Sequence, residues 1–212
     1  MSETLTANLF NAHPATPLVG ESPLVWSYIK TGVPTVTGAS DITLRERADL
    51  GHLTLRGSAI ELDKALRAVL QLSLPAQPLS LTQAGAYSAQ WMSPDEWLLI
   101  VPQGEEYAIE QQLRAALGDA HYAIVNIGGG QTLLELRGEQ AINLLKKSVV
   151  YDVHPQNFPV GKGVMTCFAT ITVILRRPTE DRWELVVRRS FADYSYRWLL
   201  DAGAEYGISV LS

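Results

Sequence analysis

The feature that most limits what this chain can become is an ordered module that it uses twice. The downstream copy is the clearer. It opens Thr132-Leu133-Leu134-Glu135-Leu136-Arg137-Gly138, a short apolar run closed by Arg-Gly. Glu139 to Val149 follows, with Ala141, Ile142, Leu145 and Val149 near one stripe, since three- and four-residue steps return to the same helical face. Asp152-Val153-His154-Pro155 and Gly161-Lys162-Gly163 break that helix and turn the chain. From Met165 to Leu175 the odd positions are Met, Cys, Ala, Ile, Val and Leu, an alternation that predicts one long strand with an apolar face. Pro178 to Asp181 turns again, and Trp183 to Arg188 reads as the return strand. Ser190 with Asp193 reads as a capping pair for a helix with Phe191, Tyr194 and Trp198 on one face, stopped by Gly203. Glu205 to Leu211 is a last strand.

The same order recurs upstream. Leu53-Thr54-Leu55-Arg56-Gly57 echoes Leu134-Glu135-Leu136-Arg137-Gly138, and Ala59-Ile60-Glu61-Leu62 echoes Ala141-Ile142-Asn143-Leu144. Ser58 and Glu61 form the pattern of a capping box, and Pro75 and Pro78 lie beyond the helix end. Tyr87–Met92 and Glu96–Val101 read as a hairpin around Ser93-Pro94-Asp95; a helix from Glu105 to Leu117 and a strand from Tyr122 to Ile127 complete the unit. Both copies are therefore expected to be βαββαβ (ferredoxin-like) units, residues 42–128 and 129–212, in an α+β fold with pseudo-twofold symmetry. A sheet with helices on one face must cover the other, and the nearest cover is the sister unit.

Residues 1–41 break this regularity. Pro14, Pro17, Pro23 and Pro34 punctuate them, which predicts an extended N-terminal arm. Within it Leu24-Val25-Trp26-Ser27-Tyr28-Ile29 is an apolar knot that either packs back on its own unit or docks on a partner chain. With 17 Lys and Arg against 22 Asp and Glu, the net charge of −5 gives no footprint for nucleic acid or an anionic membrane. No basic-then-apolar start and no apolar run of about 20 residues is present, so a cytoplasmic location is expected. Cys167 is the single cysteine, which leaves no internal disulfide; on the apolar face of the long strand it reads as a buried, inert thiol.

Chemistry-bearing constellations are sparse. Gly128-Gly129-Gly130 lacks the Lys-Ser/Thr and following helix of a phosphate loop and reads as a joint between the units. His13, His52, His121 and His154 are scattered without metal spacing. Asp152 with His154 is the one pairing that could serve as acid and base, although such residues in a turn commonly satisfy backbone groups. Arg176-Arg177 and Arg188-Arg189 end two neighbouring strands, so four guanidinium groups could gather, either as a solvated edge or as a patch for an anion or acidic partner. Trp26 and Tyr28 in the knot are candidate partner contacts. No catalytic, cofactor-binding or metal residue is assigned.

Taken together, Leu136-Arg137-Gly138, Tyr151-Asp152-Val153-His154-Pro155-Gln156-Asn157-Phe158-Pro159-Val160-Gly161 and Arg189-Ser190-Phe191-Ala192-Asp193-Tyr194 with Trp198 resemble the gamma subunits of heterotetrameric sarcosine oxidases. Leu55-Arg56-Gly57 and Ser93-Pro94-Asp95-Glu96-Trp97-Leu98 fit as well, so the resemblance spans roughly residues 42 to 208. It implies a non-catalytic, structural gamma subunit, tied to alpha, beta and delta subunits. Such a complex oxidises sarcosine to glycine and peroxide and passes the one-carbon unit to tetrahydrofolate. FAD, FMN, NAD, tetrahydrofolate and zinc would be held by the other subunits and no cofactor by this chain. More distantly the chain is similar to the folate-binding fold of aminomethyltransferases, so a stand-alone folate-binding protein is the alternative. There a strand carboxylate meets the pterin, and Cys167-Phe168-Ala169-Thr170-Ile171-Thr172 has none. A complex acting on another N-methyl amine is a third possibility.

Overall fold

The computed structural model describes residues 20–31 and 40–211. In chain order these form helix α1 (Val25–Thr31), strands β1 (Ile42–Arg47) and β2 (Leu50–Gly57), and helix α2 (Ala59–Leu70). Strands β3 (Leu81–Ala84), β4 (Tyr87–Ser93) and β5 (Glu96–Pro102), helix α3 (Glu106–Leu117) and strand β6 (Tyr122–Asn126) follow. The second half comprises β7 (Gln131–Arg137), α4 (Ala141–Ser148), β8 (Lys162–Phe168), β9 (Ile171–Thr179), β10 (Arg182–Arg188), α5 (Ala192–Ala202) and β11 (Ile208–Leu211). One sheet runs β3-β4-β5-β2-β6 and the other β11-β1-β7-β10-β9-β8.

The α+β class and the repeat hold, with one strand more than expected in the first sheet and two more in the second. In the first unit the addition is β3, four residues long and too short for its period to register. In the second, the expected long strand from Met165 to Leu175 is a hairpin, turning at Ala169-Thr170 with Ala169 at φ 49°. A two-residue turn sets Phe168 opposite Ile171, so the buried parity switches from even positions in β8 to odd positions in β9. Val164, Thr166 and Phe168 therefore point inward, while Met165 and Cys167 point out. The expected buried thiol is thus corrected: Cys167 is exposed.

Residues 42–47 do not open the first unit. β1 lies in the second sheet, antiparallel to β7 and parallel to β11, and the chain crosses to the first sheet at Ala48-Asp49. Within the expected arm, Val25–Thr31 is helical rather than extended. Leu24 is wholly buried in the second unit's core, and Tyr28 meets Tyr196 of α5 edge-on at 5.6 Å. The rest of the arm lies outside the described residues. Neither expected capping pair is made as read: Ser58 stands at an N-cap without a side-chain hydrogen bond, and Ser190 sits in a 3-10 turn ahead of α5. The buried stripe of α5 is Ala192, Ser195, Tyr196 and Leu199, rotated from the expected Phe191-Tyr194-Trp198 face.

Helices α2 and α3 cover one face of the first sheet around Leu53, Leu55, Leu66, Trp97, Leu99 and Leu113. Helices α4 and α5 do the same for the second around Leu134, Leu136, Leu145, Phe158, Leu185 and Leu199. The uncovered faces meet each other through Leu98 and Ile100 of β5 and Leu133, Ile174 and Val186 of β7, β9 and β10. The Gly128–Gly130 segment is a 3-10 turn between the units, with the Gly128 N–H donating to Asn126 Oδ1 at 2.9 Å.

At one edge the two sheets are stitched together. The Leu81 N–H donates to the Gly161 carbonyl at 2.8 Å and the Gly163 N–H to the Leu79 carbonyl at 2.9 Å. Gln90, 1% exposed, donates through Nε2 to the carbonyls of Gly163 and Trp91 at 3.0 Å and of Ser80 at 3.2 Å. A Cβ on Gly163 would overlap this amide. Gly163→Ala should therefore destabilise the chain by about 1–3 kcal/mol, through overpacking and loss of these bonds. Gly163→Ala combined with Gln90→Ala should cost less than the sum of the two singles, because one contact is being removed twice. Urea unfolding of the four proteins checks this, and strict additivity would show that the stitch is not where the strain falls.

Candidate functional site

The inner sheet faces carry more than apolar residues. Successive strand residues point to opposite faces, so each strand that feeds a helix-covered core also sends alternate residues into the space between the sheets. For β7 these include Leu133 and Glu135, for β10 Glu184 and Val186, and for β9 Ile174 and Arg176. The first sheet contributes Leu98 and Ile100 from β5, His52 from β2, and Ser88 and Gln90 from β4. One end of the interlayer is apolar and the other is a buried layer of charge.

Arg176 is the centre of that layer. It is 1% exposed and donates through Nη2 to Ser88 Oγ at 2.9 Å, a bond from the second sheet to the first. Its Nε stands 3.6 Å from Glu184 Oε2, and Arg182 Nε stands 3.5 Å from Glu184 Oε1. Glu135 lies directly opposite Glu184 in the β7–β10 register. Two like charges in that position repel. Arginines relieve them: Arg137 Nε donates to Glu135 Oε1 at 2.7 Å, while Arg47 and Arg182 approach Glu135 Oε2 at 3.7 and 3.9 Å. Burial pushes the Arg176 pKa down, Glu184 opposes that, and Arg182 adds to it; a guanidinium nevertheless stays charged. His52 is fully buried, and neither ring nitrogen has a hydrogen-bond partner. Burial first, and the nearby Arg176 second, pull its pKa down to about 4.

The residues singled out from sequence fall into separate places. Arg176 and Arg177 do not gather with Arg188 and Arg189. β9 and β10 are antiparallel, so Arg176 faces Glu184 at one end of the pair while Arg188 lies at the other, opposite Gln131 of β7. Arg177 stacks over Trp183 at 5.0 Å and donates through Nη1 to the Phe158 carbonyl at 2.8 Å. Arg188 and Arg189 are exposed and share an open groove of about 600 Å³ with Trp26, itself 60% exposed. Tyr28 turns inward to Tyr196. Asp152 and His154 are exposed and held in their own turn. Asp152 Oδ1 accepts the His154 N–H at 2.9 Å, Oδ2 accepts from Asn157, and His154 Nδ1 accepts the Gln156 N–H at 3.3 Å. The His154 N–H and the Asn157 amide hold the Asp152 carboxyl below the usual carboxylate range.

Sequence reasoning names His52 only as one of four scattered histidines and does not single out Ser88, Gln90, Glu135 or Glu184. Their signal was present as polar residues inside otherwise apolar strands, such as Leu134-Glu135-Leu136 and Trp183-Glu184-Leu185. Alternation alone marks them as solvent-facing; only the packing of sheet on sheet buries them. Among the described residues no group of three His, Cys, Asp or Glu side chains could hold a metal ion.

A family model described as sarcosine oxidase, gamma subunit family, matches residues 56–205. The sarcosine oxidase subunit gamma of Corynebacterium sp. strain P-1 is 40% identical over 116 residues, covering 55% of this chain and 56% of that protein. The match thus spans little more than half the length of that relative. The corresponding Arthrobacter subunit is 36% identical over 172 residues, covering 79% of this chain and 83% of its own. Among solved structures, a chain of the heterotetrameric sarcosine oxidase from Corynebacterium sp. U-96, in complex with pyrrole 2-carboxylate, superposes with a TM-score of 0.77. It is 30% identical, over 91% of this chain and 99% of that one. The glycine cleavage system aminomethyltransferase T from Bartonella henselae reaches a TM-score of 0.64 at 13% identity, over 89% of this chain and 58% of that one, a likeness of fold alone.

His52 makes the interlayer sensitive to acid. In the unfolded chain it takes up a proton below about pH 6.5, in the folded chain only below about 4. Between those values the unfolded state binds more protons, so stability falls as pH falls and the dependence disappears above 6.5. Going from pH 7 to 5 should cost about 2 kcal/mol from this group. His52→Leu should flatten the slope in that window. Urea midpoints measured across the series decide it, and an unchanged slope in the variant would assign the dependence elsewhere.

Proposed function

The chain belongs to the sarcosine oxidase gamma subunit family, and from that membership we propose that it is the gamma subunit of a heterotetrameric sarcosine oxidase. The observation that carries the reading is the superposition over 99% of a chain of such an assembly, at 30% identity. In this reading the partners are alpha, beta and delta subunits in the cytoplasm. The complex oxidises sarcosine to glycine and peroxide and delivers the one-carbon unit to tetrahydrofolate. FAD, FMN, NAD, tetrahydrofolate and zinc belong to the other subunits. No helix among the described residues is long and apolar enough to cross a membrane.

The contribution of this chain is structural. Its candidate acid–base pair, Asp152 and His154, is committed to a turn. Its buried carboxylates, Glu135 and Glu184, are shared among arginines. The residues do not fit a pterin: Cys167–Thr172, where the aminomethyltransferase-like reading needs a carboxylate, is a hairpin turn without one. The stand-alone folate-binding alternative is accordingly not favoured, since the aminomethyltransferase likeness extends to the fold only.

Partner contact is proposed at the groove of Trp26, Arg188 and Arg189, where an exposed ring stands beside two exposed guanidinium groups. Tryptophan and arginine are the residue types that dominate binding energy when an interface desolvates them. Tagged chain co-expressed with its flavoprotein neighbours should co-purify with them and carry flavin absorbance. Trp26→Ala should weaken assembly by about tenfold or more, with little change in the unfolding midpoint of the chain alone. Recovery of a colourless, unaccompanied chain from cells that make those neighbours would overturn the reading.

A further inference from the structure

The groove that Trp26 shares with Arg188 and Arg189 has two guanidinium groups to spare. Arg188 ends β10 and Arg189 follows in the turn ahead of α5. Both are exposed, and among the described residues neither forms an ion pair or a side-chain hydrogen bond. Elsewhere on the surface Arg56, Arg114 and Arg197 each hold a carboxylate. Glu21 borders the same groove but is exposed and pairs with neither arginine. The indole beside them is held in place. Leu24 is wholly buried, Ser27 Oγ donates to Asp193 Oδ1 at 2.6 Å, and Tyr28 packs on Tyr196. Steps of three and four residues bring these three to one side, which turns Trp26 to the other. Helix α1 is thus seated from within, and its tryptophan stands ready before any partner arrives. Gly129 and Gly130 line the groove as bare backbone, where an added Cβ would meet nothing within 4 Å.

Charge decides what fits there. Two adjacent guanidinium groups stay charged and repel each other until an anion lies between or beside them. The chain's own arm is a poor source of one: outside the described residues it has a single side-chain carboxylate, Glu3. A lone small anion would sit in open water, where one exposed charge pair is worth little. A polypeptide segment that brings carboxylates together with an apolar group would cover the indole and desolvate the pairs at once. We propose that this groove receives an acidic segment of a neighbouring subunit, its carboxylates on Arg188 and Arg189 and an apolar side chain against the Trp26 ring. The inference rests on the gamma-subunit reading and adds to it the chemistry of the partner surface.

The test reconstitutes the full chain with its flavoprotein neighbours and reads the dissociation constant of the wild type and its variants. Arg188→Ala with Arg189→Ala should weaken binding about tenfold or more and flatten its decline with added salt. Gly129→Glu sets a carboxylate in the groove and should weaken binding, whereas Gly129→Lys, of similar bulk and opposite charge, should not. Glu21→Gln removes a charge of the partner's own sign and should tighten it. Unfolding midpoints of the isolated variants show that each one folds; if the double variant does not, the Gly129 pair decides, since neither change meets packed atoms. Unchanged affinity in the double variant, or equal losses with Glu and Lys at position 129, would overturn the proposal and leave the subunit reading intact. Self-association of the chain that the same substitutions abolish would overturn it too, giving the groove to a second copy. A wild-type chain that joins no neighbour would end both.

Discussion

Everything in this fold follows from each sheet having helices on one face only. A bare sheet face with Leu98 and Ile100, or with Leu133, Ile174 and Val186, is too apolar to leave in water, and the repeat supplies a second face with the same need. Stacking them solves both problems at once. It also explains the two departures from simple tandem order. β1 lies ahead of the first repeat yet completes the second sheet between β7 and β11, and the Gly161–Gly163 edge hydrogen-bonds to Leu79 and Leu81 across the seam. The two units are thus tied by a crossing strand and by a hydrogen-bonded edge.

The charge layer is a consequence of the same stacking. Glu135, Glu184 and Arg176 occupy positions that would be wet on an isolated sheet and are less than 10% exposed here. Burying them costs desolvation that their mutual attraction roughly offsets, so the layer is a poor source of net stability. Its effect is on register. Shifting β10 by one residue against β7 would turn Glu184 toward the helix-covered core and Leu185 toward Arg176, so every wrong pairing strands a charge. The Arg176–Ser88 bond does the same between sheets, tying the stacking to one offset. The layer is incompletely matched at Arg176 Nη1 and at both nitrogens of His52, which are buried without hydrogen-bond partners.

How much of this was legible depended on whether a pattern carried one meaning or two. The twice-used module was plain because Leu-x-Leu-Arg-Gly followed by an amphipathic stretch is read the same way in any context. The strand from Met165 to Leu175 was misread because Ala169-Thr170 has no glycine or asparagine to signal a tight turn, and apolar residues happen to continue on both sides. That one missing signal reversed the exposure of Cys167 and Met165. The four arginines were misplaced for a different reason: adjacency of β9 and β10 was right, but antiparallel pairing sets the end of one strand beside the start of the next. The buried layer was unreadable from alternation alone, since a polar residue on a sheet face looks identical whether water or a second sheet lies above it.

The surface that remains after stacking limits how such a chain can act. Among the described residues both sheets are covered on both faces, by helices on one and by the sister sheet on the other. What is left is edges and protrusions. β6 is paired on one side only and shows Val125 at 51% exposure; β8 presents Met165 at 61%; helix α1 presents Trp26 at 60%. An unpaired edge with apolar side chains invites association, and a protein that functions alone would be expected to blunt it with charge or proline. Here the net charge is low for the chain length, and β6 carries Ala123-Ile124-Val125 without a charged residue. A scaffold whose sheet interiors are consumed and whose edges stay sticky is suited to being one part of a larger assembly. That is the physical reason to expect neighbours on these edges, as membership of a subunit family implies.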